Sequence, residues 1–211
     1  MIAAHPPQMG MPAAAVTATK LIHNFHPKYL AMVGITAGIR SKVNLGDILI
    51  ADPSWDWGTG KRVAVKNGYA IEPETLEERL HPSIVAMFQD VILDPNLLED
   101  IWNAWLKEKP QSIPKLHVGP CASGSYVLAD GVTIEDIRAQ QNRKLLGVDM
   151  EAYGFMHAAI NSIEPIPKAF SMKTVSDFAD KTKETTYKNN LQEYADFISA
   201  ALLKRIALKY F

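Results

Sequence analysis

The sequence has 211 residues, with 22 Lys+Arg against 23 Asp+Glu, a formal net charge of −1 and 47% hydrophobic residues. That length and composition fit one α/β domain with its own core, and the near-neutral balance excludes the global basic field by which a protein holds nucleic acid. The single cysteine, Cys121, excludes an internal disulfide and fits a reducing cytoplasm.

No apolar run reaches the ~20 residues of a membrane span. The opening residues, Met1-Ile2-Ala3-Ala4-His5-Pro6-Pro7, lack the basic and apolar regions of a signal peptide. A turn runs to Pro12, which suits the first turn of a helix. The helix is expected over 13–25, with Val16, Leu21 and Ile22 on its inner face. An α/β domain usually opens on a strand, so this start points to a chain that begins partway into its fold. His23 and His26 have no partner at metal-ligand spacing and read as surface or core-edge histidines.

Residues 29–35 form a continuous apolar run, which predicts a buried strand. Gly34-Ile35-Thr36-Ala37-Gly38 is expected to be a small-residue turn where a ligand approaches the backbone. Asn44 to Asp47 is a turn and 48–51 a strand. Residues 52–61, with Trp55 and Trp57, read as an aromatic loop that walls a pocket, covers a subunit contact or simply packs. Gly58-Thr59-Gly60-Lys61 lacks the spacing of a phosphate-binding loop. A hairpin is expected over 61–71, turning at Asn67-Gly68.

Helices are expected over 73–91 and 95–109. The second carries Leu97, Leu98, Ile101, Trp102, Trp105 and Leu106 at helical spacing, as core or oligomer contact. A strand over 115–121 ends in Ala122-Ser123-Gly124-Ser125, and Cys121 reads as a small buried residue rather than a nucleophile. A helix follows near 133–141, then a strand over 145–149 that runs through Met150-Glu151 into another helix. The apolar run 166–172 predicts a further buried strand, with Ser176 and Asp177 near its end. A polar, mobile loop is expected at 181–186 and an amphipathic helix near 190–208. Alternating strands and helices argue for one α/β domain with a largely parallel sheet.

In open α/β sheets chemistry gathers outside the carboxyl ends of strands. Asp177 is therefore a candidate acid, with Ser176 beside it. The competing reading is that Ser-Asp only starts a turn or caps a helix. Glu151 likewise reads either as a site carboxylate or as an acid favoured by a helix N-terminus. No His/Cys/Asp cluster has ligand spacing, so neither metal nor cofactor is expected.

Val148-Asp149-Met150-Glu151-Ala152 resembles the V-E-M-E-A of the nucleoside phosphorylase/nucleosidase superfamily, and Val175-Ser176-Asp177-Phe178-Ala179-Asp180 resembles its I-S-D-x-A-D. Met9-Gly10-Met11-Pro12, the 34–38 glycines with Gly46-Asp47-Ile48, and Ala122-Ser123-Gly124 fall in the same order. The likeness is nearest to 5′-methylthioadenosine/S-adenosylhomocysteine nucleosidases. It implies a three-layer sandwich around a mixed central sheet, residues 1–211 as one domain lacking the family's first strands, and a homodimer that binds a small nucleoside; the cysteine count, charge balance and apolar run lengths add a cytoplasmic location with no nucleic acid or membrane partner. It also implies roles. Asp177 protonates N7 of a purine leaving group, and Ser176 holds that carboxyl. Glu151 accepts from ribose hydroxyls, and Met150 and Met9 pack on the sugar. Thr36 and Ser123 border the substrate, while Val127 and Leu128 line the base pocket.

The sequence departs from the pattern at several places. The phosphate-binding arginine before the glycine turn is Met32, which cannot bind an oxyanion, so water is favoured over phosphate. Arg40 and Arg62 are the conceivable substitutes. The family's aromatic base-stacking position is Val127, next to Tyr126, and the acid of its S-G-D motif is Ser125. Lys173 stands where the family strand often has arginine, with a carboxylate or solvent as its partner. No segment matches the family glutamate that activates water. The base therefore lies upstream, or catalysis is impaired. The expected function is hydrolysis of a purine nucleoside or related nucleotide; a phosphorylase and a nucleoside-binding sensor are the alternatives.

Overall fold

The computed structural model describes residues 1–66, 68–94, 96–182 and 190–211. The elements are α1 (Met11–Phe25), β1 (Tyr29–Gly38), β2 (Ile48–Asp56), β3 (Gly60–Val65), β4 (Gly68–Pro73), α2 (Pro82–Ile92), α3 (Leu97–Ala104), β5 (Leu116–Ser123), α4 (Thr133–Gln140), β6 (Gly147–Asp149), α5 (Ala152–Ile160), β7 (Lys168–Asp177) and α6 (Leu191–Tyr210). The central sheet is mixed and flanked by helices, as the resemblance implies. Its strands close on themselves in the order β1-β6-β5-β2-β7. β1 runs parallel to β7, and β2, β5 and β6 run parallel to one another; the junctions β1/β6 and β2/β7 are antiparallel.

Strand alternation separates two apolar faces. Ile48, Ile50, Phe170 and Met172 join the main core, where α1, α2, α5 and α6 pack. Leu49, Ala51, Cys121 and Val175 form a second cluster with Val43 and Phe178. Lys173 pairs with Leu49 in register and is two residues from Val175 on β7. A lysine thus sits beside an apolar cluster, buried to 6% exposure.

Four elements differ from the sequence expectation. The 34–38 glycine stretch is the end of β1, not a turn. Thr36 pairs with Val175, Ala37 with both Val148 and Asp177, and Gly38 with Gly147. Pairing passes from β7 to β6 along the stretch, with Ala37 paired to both, and keeps the chain extended; Gly38 serves close packing, since a Cβ there would collide with Val43 and Val175. The expected aromatic loop begins as strand, because β2 continues to Asp56 after a register shift between Ala51 and Ser54. Trp55 is consequently a core residue, its indole N–H donating to Gln141 Oε1 at 2.7 Å.

The helix expected from residue 73 begins instead at Pro82, where His81 caps it by accepting from the Ser83 N–H. The preceding segment is held extended by an Ser54–Glu78 bridge. The helix expected over 95–109 covers only Leu97–Ala104, and the Trp105 indole turns to the carbonyl of Glu108 at 3.0 Å. Pro95 lies outside the described residues. Leu97, Leu98, Trp102 and Trp105 pack on the core as expected, whereas Leu106 is exposed.

The hairpin is present as β3 and β4, with Val65 opposite Gly68; Asn67 lies outside the described residues, as do 183–186 of the polar loop. Among the described residues no helix is long and apolar enough to cross a membrane.

Candidate active site

β7 ends in a bulge. Thr36 pairs with Val175 but Ala37 pairs with Asp177, so Ser176 is an extra residue opposite β1. Bulges re-aim the side chains beside them. Here the bulge delivers Asp177, only 3% exposed, to the wall of a cleft of about 1330 Å³. The Ser176 hydroxyl donates to Asp177 Oδ2 at 3.0 Å, and the Ala179 N–H donates to Oδ1 at 2.9 Å. Ala179 takes a left-handed φ of 54°, which curls the backbone so that its N–H faces the carboxylate. The Ser-Asp pair therefore ends a strand at a cleft, rather than capping a helix.

On the other side of β1, β6 leads into α5. Ala37 is flanked by Val148 on β6 and by Asp177 on β7, so the two strand ends bracket the same stretch of β1. Glu151, just before α5, lines the same cleft. Its Oε1 accepts from the Gly10 N–H at 3.0 Å, which ties it to the start of α1. Its Oε2 lies 2.6 Å from Lys173 Nζ. The same ammonium lies 2.6 Å from Asp149 Oδ2.

Burial alone would pull the Lys173 ammonium down, but the carboxylates of Asp149 and Glu151 outweigh it and hold it above the ordinary lysine value. Asp149 is anchored further. Its Oδ1 accepts from the Ser123 hydroxyl at 2.6 Å, and its Oδ2 from the Ala152 N–H at 3.1 Å.

Most expected site residues share this cleft. Asp177, Ser176, Glu151, Met150, Met9 and Thr36 line it, as do Val127 and Leu128. The Thr36 hydroxyl spends its proton on the Val148 carbonyl at 2.8 Å, leaving only acceptor capacity for a ligand. Ser123 is the exception. It is fully buried behind Asp149, donates to that carboxylate and accepts from the Tyr153 N–H at 2.9 Å, so it does not line the cleft.

Asp149 and Lys173 also line the cleft, though neither was expected in the site. Asp149 was read as a strand end within the Val148–Ala152 motif, and Lys173 was left between a carboxylate and solvent. A lysine inside the run Phe170-Ser171-Met172-Lys173-Thr174-Val175 was the available signal, since a buried ammonium requires paired carboxylates.

Trp57 and Tyr126 wall one end of the cleft, their rings 6.2 Å apart. Gly124 lets the Trp57 indole lie flat on the backbone; any Cβ there would overlap it. The arginines proposed for an oxyanion are engaged elsewhere. Arg40 pairs with Asp180 at 2.6 Å and covers the Phe178 ring, and Arg62 stacks on Tyr69 of the hairpin at 3.5 Å. Burial acts against the Asp180 charge, but hydrogen bonds from Thr182 and Arg40 hold its carboxyl down to about 2. Met32 lines the cleft.

Residues 1–207 match the model of the Phosphorylase superfamily. The uncharacterized protein y4jS of Sinorhizobium fredii is 37% identical over 93% of this chain and 46% of its own length. The ATP nucleosidase Cap17 of Escherichia coli is 25% identical over 91% of this chain and 39% of its own. The chain thus spans less than half the length of these relatives. Among solved structures, the S-adenosylhomocysteine nucleosidase of Streptococcus pyogenes, in complex with 5-methylthiotubericidin, superposes with a TM-score of 0.71 at 20% identity, covering 96% of this chain and 77% of that one.

Proposed function

Because this chain belongs to the Phosphorylase superfamily, we propose that it hydrolyses the N-glycosidic bond of a purine nucleoside of the methylthioadenosine/adenosylhomocysteine type or of a related nucleotide. The observation that carries this reading is the pair of carboxylates, Asp177 and Glu151, presented to one cleft from either side of β1. Breaking the bond leaves an oxocarbenium-like sugar and a poor purine anion. Asp177 protonates N7 as the C1′–N9 bond lengthens, which general-acid catalysis makes worth about 10²–10⁴-fold. Ser176 and the Ala179 N–H fix the direction of that carboxyl.

Glu151 accepts from the ribose hydroxyls and stabilises the developing positive charge. Met9 and Met150 pack on the sugar, and Trp57, Tyr126, Val127 and Leu128 enclose the base. Water adds to C1′. The residue that takes its proton is not assigned within this chain, so the longer proteins that contain such a domain belong in the test. Met32 in place of an arginine, with Arg40 and Arg62 held elsewhere, supports water rather than phosphate as the nucleophile. Residues 1–207 matching one family model supports a single domain; the homodimer rests on family resemblance and the cytoplasmic location on the single cysteine.

The test is chromatographic base release from a panel of purine nucleosides, 5′-substituted nucleosides and nucleoside triphosphates, with and without phosphate, by this chain and by a longer protein containing it. Free base without phosphate is the expected result. Release only with phosphate makes it a phosphorylase, and binding without release from either form makes it a sensor.

A further inference from the structure

Resting on the reading of Glu151 as the ribose carboxylate, we propose that Lys173 is the positioning residue that fixes Glu151 toward the sugar, and that Asp149 keeps Lys173 from neutralising it. The lysine is held from below and the glutamate from both ends. Lys173 Nζ sits 2.6 Å from Asp149 Oδ2 and 2.6 Å from Glu151 Oε2. Asp149 cannot follow a displaced lysine, because the Ser123 hydroxyl and the Ala152 N–H hold it at 2.6 and 3.1 Å. Glu151 is pinned at its other oxygen by the Gly10 N–H at 3.0 Å. Among the described residues each Glu151 oxygen therefore has one donor, and a carboxylate oxygen has two acceptor sites. One acceptor position per oxygen is left for neighbouring hydroxyls, the pattern a ribose 2′,3′-diol offers.

The charge follows the same geometry. One ammonium between two carboxylates leaves the group at −1, so Glu151 keeps part of its negative charge for the cationic sugar. The raised Lys173 value shows that the ammonium survives its burial. Without Asp149 the whole lysine charge would fall on Glu151, which would still bind hydroxyls but would do less for the transition state.

The two parts separate kinetically. Lys173→Met frees Glu151 and is expected to weaken binding and raise KM by about 10- to 100-fold, the range for a charged hydrogen bond, with a smaller change in kcat. Lys173→Arg keeps the charge and restores KM to within a few-fold of wild type. Asp149→Asn leaves Lys173 wholly on Glu151 and lowers kcat about tenfold or more with KM nearly unchanged. Calorimetric binding of adenosine and ATP to each folded variant is measured beside the rates. Wild-type KM in Lys173→Met, or equal losses of kcat and KM in all three variants, overturns the assignment. Should Lys173→Met not fold, the KM of Lys173→Arg and the kcat of Asp149→Asn still decide it. A wild type that binds neither probe overturns the ribose reading of Glu151 and this inference together, whereas binding that Lys173→Met leaves intact overturns this inference alone.

Discussion

Asp47 and Asp149 are both carboxylates at strand ends of the barrel, with side-chain exposures of 2% and 4%, and they are buried to opposite purpose. Asp47 is closed. Its oxygens accept from the Asn44 N–H at 2.9 Å, the Lys115 N–H at 2.8 Å and His117 Nε2 at 3.0 Å, and neither Asp47 nor His117 lines the cleft. Asp149 belongs to a relay that opens. It holds Lys173, which holds Glu151, whose carboxylate borders the cleft. Buried charge alone does not mark a site. What marks one is a chain of fixed partners ending on a carboxylate that a ligand can reach.

That contrast predicts a different outcome for each cluster. The largest stability effect is expected for Lys173→Met, which strands the buried Asp149 carboxylate and the half-buried Glu151 carboxylate: about 3–5 kcal/mol by thermal unfolding. A smaller loss would mean that water reaches the cluster and that it is less closed than its exposures indicate. Asp47→Asn comes next, at about 1–3 kcal/mol, because an amide cannot accept from all three donors. Base release should survive in that variant, and its loss would contradict the closed role of Asp47.

The same two variants separate by pH. Burial alone would raise the Asp47 carboxyl, but His117 and the N–H groups of Asn44 and Lys115 outweigh it and hold it below the ordinary aspartate value. Its stabilisation is therefore present above about pH 4 and lost as pH falls through the lowered value. The Tm gap between wild type and Asp47→Asn should close toward acid. For Lys173 the raised value has the opposite sense. Its contribution holds through neutral pH and fades only as pH climbs past the ordinary lysine range. The smallest stability effect is expected for Glu151→Gln, within about 1 kcal/mol, since the side chain sits at the cleft edge. Its damage should appear in nucleoside binding, and wild-type binding would remove Glu151 from the site.

Much of this was legible in the sequence, and the reasons differ by element. Continuous apolar runs revealed β1 and β7, and 3.6-residue spacing revealed α1 and α6, because burial dictates both patterns, although Val16, expected on the inner face of α1, is exposed. Asp177 and Glu151 were legible because each follows such a run. The extension of β1 to Gly38 and of β2 to Asp56 was not, since glycine, proline and aspartate in those stretches carry local turn signals that ladder pairing, to β7 and β6 for β1 and to β5 for β2, overrides. The bulge at Ser176 depends on register against β1, which no local pattern encodes. Ser123 was misread for a related reason: its place beneath Asp149 is set by the β5/β6 pairing Ser123 to Asp149, not by its neighbours in the chain.

The most direct test of the account is base release by Asp177→Asn beside wild type, on the best substrate of the panel, with binding followed by calorimetry. The amide keeps the shape and acceptor oxygen of the side chain but has no carboxyl proton to give. Unchanged folding, retained nucleoside binding and release slowed by about 10²-fold or more are expected. Release at the wild-type rate would contradict the role of Asp177 as the acid, because the proton would then reach the purine from another group.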